Sequence, residues 1–349
     1  MNLKKYLLKR TQPRIKATPH DLQEIGEFGL INRIRKWMTT SDPSLIQGIG
    51  DDVAVIKMGE KTLLATTDIL IEEVHFQRKW IDPYRLGNKA LMVNLSDISA
   101  MGGIPKYILI SLGLPKNLPL SFFTAFYRGL KDGTKRFGIS LIGGDTSLSE
   151  KIIINICLLG EAGKKGPILR KGAKVGDDLY VSGTLGDSSL GLKILKKEGL
   201  KGRPQKLIEK HLLPLPRITL GQRIAQQGLA TSMIDVSDGL LIDTKHLLEE
   251  SNVGARIWLS RIPLSSLYRK WIRLYSKDPY HLALSGGEDY ELLFTSPPEA
   301  RKAISKLAST LKIPITCIGE ILPKKEGFSV IMEDGRRYSP ARLGFEHFT

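Results

Sequence analysis

Short apolar runs of two periods alternate along the chain with polar stretches broken by glycine. Phe28, Leu30, Ile31, Ile34 and Trp37 recur at helical spacing and predict an early helix. Residues 63–67 read as a short strand ending at Asp68. Residues 86–101 carry apolar side chains at helical spacing and stop at the Gly102-Gly103 breaker pair. A strand over 107–114 follows, and then a helix that Ser121 can cap and Gly138 terminates after Phe137. Strands over 139–142, ending at Gly143-Gly144-Asp145, and over 152–159 complete the first half. Between Gly160 and Gly176 the chain is rich in Gly and Lys, with Pro167 inside, and reads as a domain boundary. Strand and helix signals then alternate again: 178–182, a helix from Ser188, 233–236, a helix from Leu240, 255–259, 290–295, a helix from Glu299, 315–321 and 328–332. The expected architecture is α/β (or α+β) in two domains: a loose basic extension over 1–24, a first domain over 25–163 and a second over 164–349.

Composition narrows the class. The 349 residues are 42% hydrophobic and 25% charged, ordinary for a soluble globular protein with room for two cores. The longest apolar stretches, such as 152–160, are strand-sized, so no membrane span and no signal peptide are expected. Cys157 and Cys317 each sit in an apolar run without zinc or CxxC spacing, which fits free thiols in a reducing cytoplasm. The formal charge of +16 invites a nucleic-acid reading. The basic residues, however, are spread out. The two denser stretches, 4–16 and 193–217, lack interleaved aromatics and any helix-turn-helix, zinc-finger or RNA-recognition pattern. Solvated faces are the simpler reading, with a positive field that would steer polyphosphates.

The aspartates carry the chemistry. In a basic chain they recur beside apolar runs: Asp51 and Asp52 after Gly48-Ile49-Gly50, Asp68, Asp97 on an otherwise apolar helix, Asp145, and Asp235 and Asp238 astride Val236-Ser237. Singly, an aspartate after a strand is most often a turn former or helix cap. Mid-helix, Asp97 caps nothing. Converging carboxylates would repel one another and push their own pKa values up, and a hard cation resolves both costs. All-oxygen donors without a His or Cys cluster favour Mg²⁺, which takes its remaining ligands from water and phosphate. No GxxxxGK[ST] loop, protein-kinase set or nucleophile–base pair is present. Gly183-Thr184-Leu185-Gly186-Asp187 is a weak anion-site motif and reads more simply as a strand-to-helix turn. A phosphate-monoester acceptor, largely dianionic at pH 7, would need no general base, so no catalytic side chain in that sense is expected.

Ordered motifs along the chain resemble the thiamine-monophosphate kinase family. They are Gly50-Asp51-Asp52, Thr66-Thr67-Asp68, Val74-His75-Phe76, the run 88–102, Gly143-Gly144-Asp145-Thr146, Ile234-Asp235-Val236-Ser237-Asp238-Gly239, the run 285–292 and Gly344-Phe345-Glu346-His347-Phe348. The resemblance implies the two-domain fold of aminoimidazole ribonucleotide synthetase, with the N-terminal sheet pairing across a homodimer. It implies ATP as phosphoryl donor, several Mg²⁺ ions and thiamine monophosphate as acceptor. By motif, Asp52, Thr66, Thr67, Asp68, Asp97, Asp145, Asp235 and Asp238 would hold metal. Tyr127, Gly144, Asp145, Arg170 and Ser237 would contact ATP, and His75, Glu288 and Phe345 the thiamine substrate. Residues 147–151, Ser-Leu-Ser-Glu-Lys, depart from the Thr-Arg-Gly type of sequence usual there, and the basic extension is longer than usual. Selenophosphate synthetase is disfavoured because no cysteine precedes Cys157. The purine-pathway synthetase and a basic nucleic-acid binder are the remaining alternatives.

Overall fold

The computed structural model describes residues 22–347, which fall into two compact units. The expected loose segment therefore lies outside the described residues up to 21, whereas residues 22–24 already belong to a helix. That helix, α1 (Leu22–Trp37), is broken at Gly26, whose φ is 66°. It forms the small unit with residues 38–39 and 346–347, and His347 N donates to Glu27 Oε2 at 3.1 Å.

The large unit, Thr40–Phe345, holds two sheets. The first is built from β1 (Leu45–Gln47), β2 (Ala54–Met58), β3 (Lys61–Ile71), β4 (Ile104–Leu114), β5 (Ser140–Leu148) and β6 (Ile153–Glu161), with α2 (Pro83–Ala100) and α3 (Leu120–Phe137) between strands. Its order is β1-β2-β3-β6-β4-β5, antiparallel except for the β4–β5 pair. The remaining elements are β7 (Asp178–Ser182), α4 (Asp187–Glu198), α5 (Gln205–Leu212), α6 (Ile218–Gln227), β8 (Ser232–Asp235), α7 (Leu240–Ser251) and β9 (Gly254–Trp258). They continue with α8 (Ser266–Trp271), α9 (His281–Ser285), β10 (Leu292–Ser296), α10 (Arg301–Leu311), β11 (Ile315–Leu322), β12 (Phe328–Ile331) and β13 (Arg337–Tyr338). The second sheet runs β13-β12-β9-β11-β7-β10-β8, with β9–β12 its parallel pair.

Period-two alternation gives the first sheet one dry face. Ile108, Ile110 and Leu112 on β4 and Ile154, Ile156 and Leu158 on β6 point inward. Ile69, Tyr107, Leu109, Leu141 and Ile142 are exposed. Helix α2 starts cleanly: Asp82 accepts Arg85 N at 2.9 Å, and Pro83 occupies the first turn, where its missing N–H costs nothing. Unlike an amphipathic surface helix, α2 is buried nearly all round. It packs on β3, β4 and β6 on one side and on α5, α6 and β8 on another. Polar residues on α2 therefore sit at the seam between the two sheets.

Several expected boundaries move. Strand β3 does not stop before Asp68, because β6 pairs with it from Leu63 through Ile71 and carries Asp68 into mid-strand. Strand β5 likewise runs through Gly143-Gly144-Asp145 to Leu148 in parallel register with β4, so that stretch is strand and not turn. Ser121 caps nothing: extended Pro119 precedes α3 with no side-chain cap, while Gly138 closes the helix with φ 66° as expected. Helices α5 and α6 carried no clear sequence signal. Among the described residues, no helix is long and apolar enough to cross a membrane.

Leu95, 0% exposed on α2, touches the core where both halves meet. Leu95→Ala should destabilise the protein by about 2–5 kcal/mol through lost burial and a residual cavity. Urea denaturation should report this as a lower midpoint at unchanged slope.

Candidate active site

At the α2 seam, carboxylates from three distant stretches meet. Asp52 follows β1 in a loop, Asp97 lies on the last turns of α2, and Asp235 ends β8. One oxygen from each lies within 4.8 Å of the others. Neighbouring hydroxyls aim the group: Thr66 Oγ1 donates to Asp97 Oδ2 at 2.5 Å, and Ser96 Oγ donates to Asp235 Oδ2 at 2.5 Å. The Asp52 side chain is 1% exposed. Arg170 donates to Asp52 Oδ1 through Nε at 3.1 Å and through Nη2, while the buried Asp52 Oδ2 has no hydrogen-bond partner. Asp51 accepts the backbone N–H of Arg170, which fixes that arginine over the group.

Burial and like charge push these acids up. Burial, then the charge of Asp52, raises Asp235 to about 8 and Asp68 to about 6. The same two causes raise Asp51 to about 7. Asp97 lies well above the usual carboxylate range, through burial and then Asp68, Asp235 and Asp52. Burial also raises Asp52, against the opposing pull of Arg170. A buried, unpartnered carboxylate oxygen among converging hard donors can hold a divalent cation, and the donor set suits Mg²⁺ better than a soft metal. Asp52, Asp97 and Asp235 would form its inner ligands, with Asp68 and Thr66 beside them on the same face of β3.

The rest of the assigned set divides. Asp238 and Ser237 lie in the turn between β8 and α7, which the 286–290 loop meets directly: Glu288 N donates to Ser237 O at 2.6 Å and Tyr290 N to Val236 O at 2.8 Å. Phe345 joins the same turn, its N–H donating to Asp238 O at 3.0 Å, and the residue is 45% exposed. Glu288 and Tyr290 hold left-handed φ values of 64° and 51°, strain of the kind that gathers at functional sites. A Cβ on Gly287 would meet Ser237 O at 2.5 Å, so the two loops approach this closely only with glycine there.

Other assigned residues stand apart from the close carboxylate group. Thr67 points to the opposite face of β3 and donates to Asn155 Oδ1 at 2.7 Å. Asp145 is exposed on β5, opposite Ser111, and accepts Thr146 N at 2.8 Å. Gly144 faces Ile110, whose carbonyl would lie 1.9 Å from an added Cβ, so only glycine fits at that point of the strand pair. Tyr127 packs on Phe123 and Phe126 on α3, at centroid distances of 4.6 and 5.6 Å. His75 Nδ1 accepts Ile71 N at 3.0 Å, which makes Nε2 the protonated nitrogen of its neutral ring.

Sequence reasoning gave no role to several supporting groups. Ser96 holds Asp235, and Asn94 Oδ1 accepts the Asp68 backbone N–H at 3.1 Å. Asp243, buried in the first turn of α7, accepts Asp238 N at 3.2 Å and Gly239 N at 3.0 Å and so shapes the turn. Polar residues on a helix with no wet face were the available signal.

Residues 50–162 match the family model described as AIR synthase related protein, N-terminal domain, and residues 174–331 match the corresponding C-terminal domain. The thiamine-monophosphate kinase of Aquifex aeolicus (strain VF5) is 41% identical over 329 residues, 94% of this chain and 99% of that protein. The Escherichia coli (strain K12) thiamine-monophosphate kinase is 39% identical over 328 residues, 93% of this chain and 98% of that protein. AaThiL complexed with AMPPCP and TMP superposes with a TM-score of 0.82 at 40% identity, over 95% of this chain and 100% of that one. Fold and matched domains make this an AIR synthase related protein. Within that class the chain belongs to the thiamine-monophosphate kinase family, a family of phosphotransferases. These likenesses do not favour the purine-pathway synthetase.

The raised acids set a pH signature. An aspartate whose folded pKa exceeds its unfolded value of about 3.9 stabilises fully below that value and loses the contribution as pH rises through the folded one. Without metal, Asp235 should therefore cost stability progressively up to about pH 8. In EDTA, Asp235→Asn should be more stable than the parent by at least about 1 kcal/mol at pH 8.5, the gap closing below about pH 5. Thermal melts across that range check the sign.

Proposed function

We propose that the chain transfers the γ-phosphoryl group of ATP to thiamine monophosphate, yielding ADP and thiamine diphosphate. The observation that carries this reading is the buried group of Asp52, Asp97 and Asp235 beside Arg170, an arrangement suited to polyphosphate and hard cations. The first part of the chain, residues 25–163, would supply Asp52, Thr66, Asp68 and Asp97 as ligands for several Mg²⁺ ions, and residues 164–349 would add Asp235 and Asp238; Thr67, turned to the other face of β3, and Asp145, exposed on β5, stand outside this close group. Bound there, Mg²⁺ would neutralise phosphate charge.

Arg170, whose guanidinium can fork onto phosphate oxygens, would orient the triphosphate together with Ser237, Tyr127 and the Gly144-Asp145 backbone. His75, Glu288 and Phe345 would hold the thiamine end, an aromatic face suiting a cationic thiazolium. The acceptor phosphate, largely dianionic at pH 7, attacks the γ-phosphorus in line. A phosphorus–oxygen bond forms to the acceptor as the β–γ bridge breaks, and no side chain has to remove a proton. Catalysis then consists of alignment and charge neutralisation.

The outer face of the first sheet exposes apolar side chains, with Ile69 at 47% and Tyr107 at 46%, and we assign it to a homodimer interface. ATP supply and the free thiols Cys157 and Cys317 suit the cytoplasm.

Incubation of purified protein with ATP, Mg²⁺ and thiamine monophosphate should give thiamine diphosphate by mass, and absence of that product would overturn the reading. Asp97→Asn should lower turnover at least about 100-fold and abolish Mg²⁺-dependent ATP binding by calorimetry while the protein still melts cooperatively. Leu109→Lys, on the exposed sheet face, should convert the dimer to a monomer in light scattering. A parent protein that is already monomeric refutes the assignment.

A further inference from the structure

The second charged centre of the fold lies on the same helix as Asp97 but two turns earlier. Lys89 on α2 is 1% exposed, in the company of Leu86, Ala90 and Leu91. Its Nζ donates to Glu288 Oε2 at 2.9 Å and to His211 O at 3.1 Å. His211, on α5 and 7% exposed, places Nδ1 at 2.8 Å from the same Glu288 oxygen, with Ser188 Oγ 3.2 Å from that nitrogen. Helices α2 and α5 thus converge on one carboxylate of the strained 286–290 loop, with α4 placing Ser188 against His211.

A buried ion pair of this kind is weak evidence for stability, since an apolar residue of similar size is often as good. Glu288 itself is not sealed in: its side chain is 25% exposed, and neither Lys89 nor His211 uses Oε1. Burial alone would push this carboxyl up, but Lys89 and His211 hold it well below the usual carboxylate range. Burial and the Lys89 charge also hold the His211 imidazole below its ordinary value. Lys89, 2.9 Å from the carboxylate, is the counter-cation.

We propose that Lys89, with His211 as its second, is a positioning residue: it fixes the Glu288 carboxylate so that the free oxygen meets the thiamine end of the acceptor. The inference rests on the reading that Glu288 contacts thiamine monophosphate. Because its charge is already matched by Lys89, Glu288 acts as an aimed acceptor for an N–H donor on the substrate more than as a bare counter-ion. Asp97 and Lys89 lie eight residues apart, about 12 Å along one rigid helix. Helix α2 would thereby set the distance between the phosphoryl-transfer centre and the ring-recognition end.

Steady-state kinetics on the magnesium-loaded enzyme, varying each substrate in turn, tests this with Lys89→Met, Glu288→Gln and the double variant. Glu288→Gln and Lys89→Met should each raise KM for thiamine monophosphate at least tenfold, with KM for ATP within twofold. The double variant should be no worse than Glu288→Gln alone, because both changes disable one contact. Equal rises in both KM values, or losses that multiply in the double variant, would show Lys89 acting on the fold or by itself and overturn the proposal. An unchanged acceptor KM in Lys89→Met beside a raised one in Glu288→Gln would overturn it while leaving the substrate reading intact. An unchanged acceptor KM in Glu288→Gln would overturn that reading and this inference together. Should Lys89→Met fail to fold around its stranded carboxylate, the double variant removes that charge. Its acceptor KM should then match that of Glu288→Gln, and a further tenfold rise would refute the role.

Discussion

Repulsion between carboxylates held close in a dry seam governs the rest of this molecule. With one oxygen of each within 4.8 Å of the others, a pair of ionised groups among Asp52, Asp97 and Asp235 opposes the fold by about 3 kcal/mol at an effective dielectric near 20. No flexible surface could hold such a group together. Here the carboxylates ride on elements whose packing is decided elsewhere: α2 is clamped between two sheets, and β8 sits at the edge of the second sheet with β10 beside it. Apolar burial over the whole seam fixes the positions, and the charges take what relief is available. Part comes from protonation, part from Arg170 on Asp52, and part from the hydroxyls of Thr66 and Ser96. A hard cation with its polyphosphate would supply the remainder.

The same economy of means appears at Glu288. There a single carboxylate is matched by a single buried lysine, so the charge is largely compensated. The carboxylate group near Asp97 is instead left with an unpartnered oxygen on Asp52 and raised acids around it. On the proposed reading, the carboxylate group would accept positive charge and the Glu288 end would meet hydrogen-bond donors. The two ends are linked through α2 and through the turn after β8, where the backbone of Ser237 and Asp238 receives Glu288 and Phe345. Left-handed backbone at Glu288 and Tyr290 is the local cost of bringing that loop so near.

Much of this was legible in the residues. Apolar periodicity located α2, β4, α3 and most strands of the second sheet, since burial on one or all faces writes itself into hydrophobic spacing. Asp97 stood out because an acid on an apolar helical stretch, well past the first turn, has no N-capping duty. Repeated aspartates beside apolar runs pointed to carboxylates that converge, as Asp52, Asp97 and Asp235 do, and ordered motifs identified the family. Strand ends were less legible: β3 and β5 continue through Asp68 and Asp145 because partner strands β6 and β4 extend the ladder there, which no local signal encodes.

Residue type and order alone determined the alternating elements, the acidic chemistry and the family, because each depends on local pattern or on which atoms a side chain can offer. Only the packed chain decided which acids meet. Asp52, Asp97 and Asp235 share a seam, whereas Thr67 turns to the other face and Asp145 lies exposed on an edge strand. Strand register and pleat parity make that division, and a side chain's face flips with a shift of one residue. The partners Ser96, Asn94, Lys89 and His211 were equally hidden, since their roles come from contacts across 26 to 199 positions of chain that only long-range packing brings together.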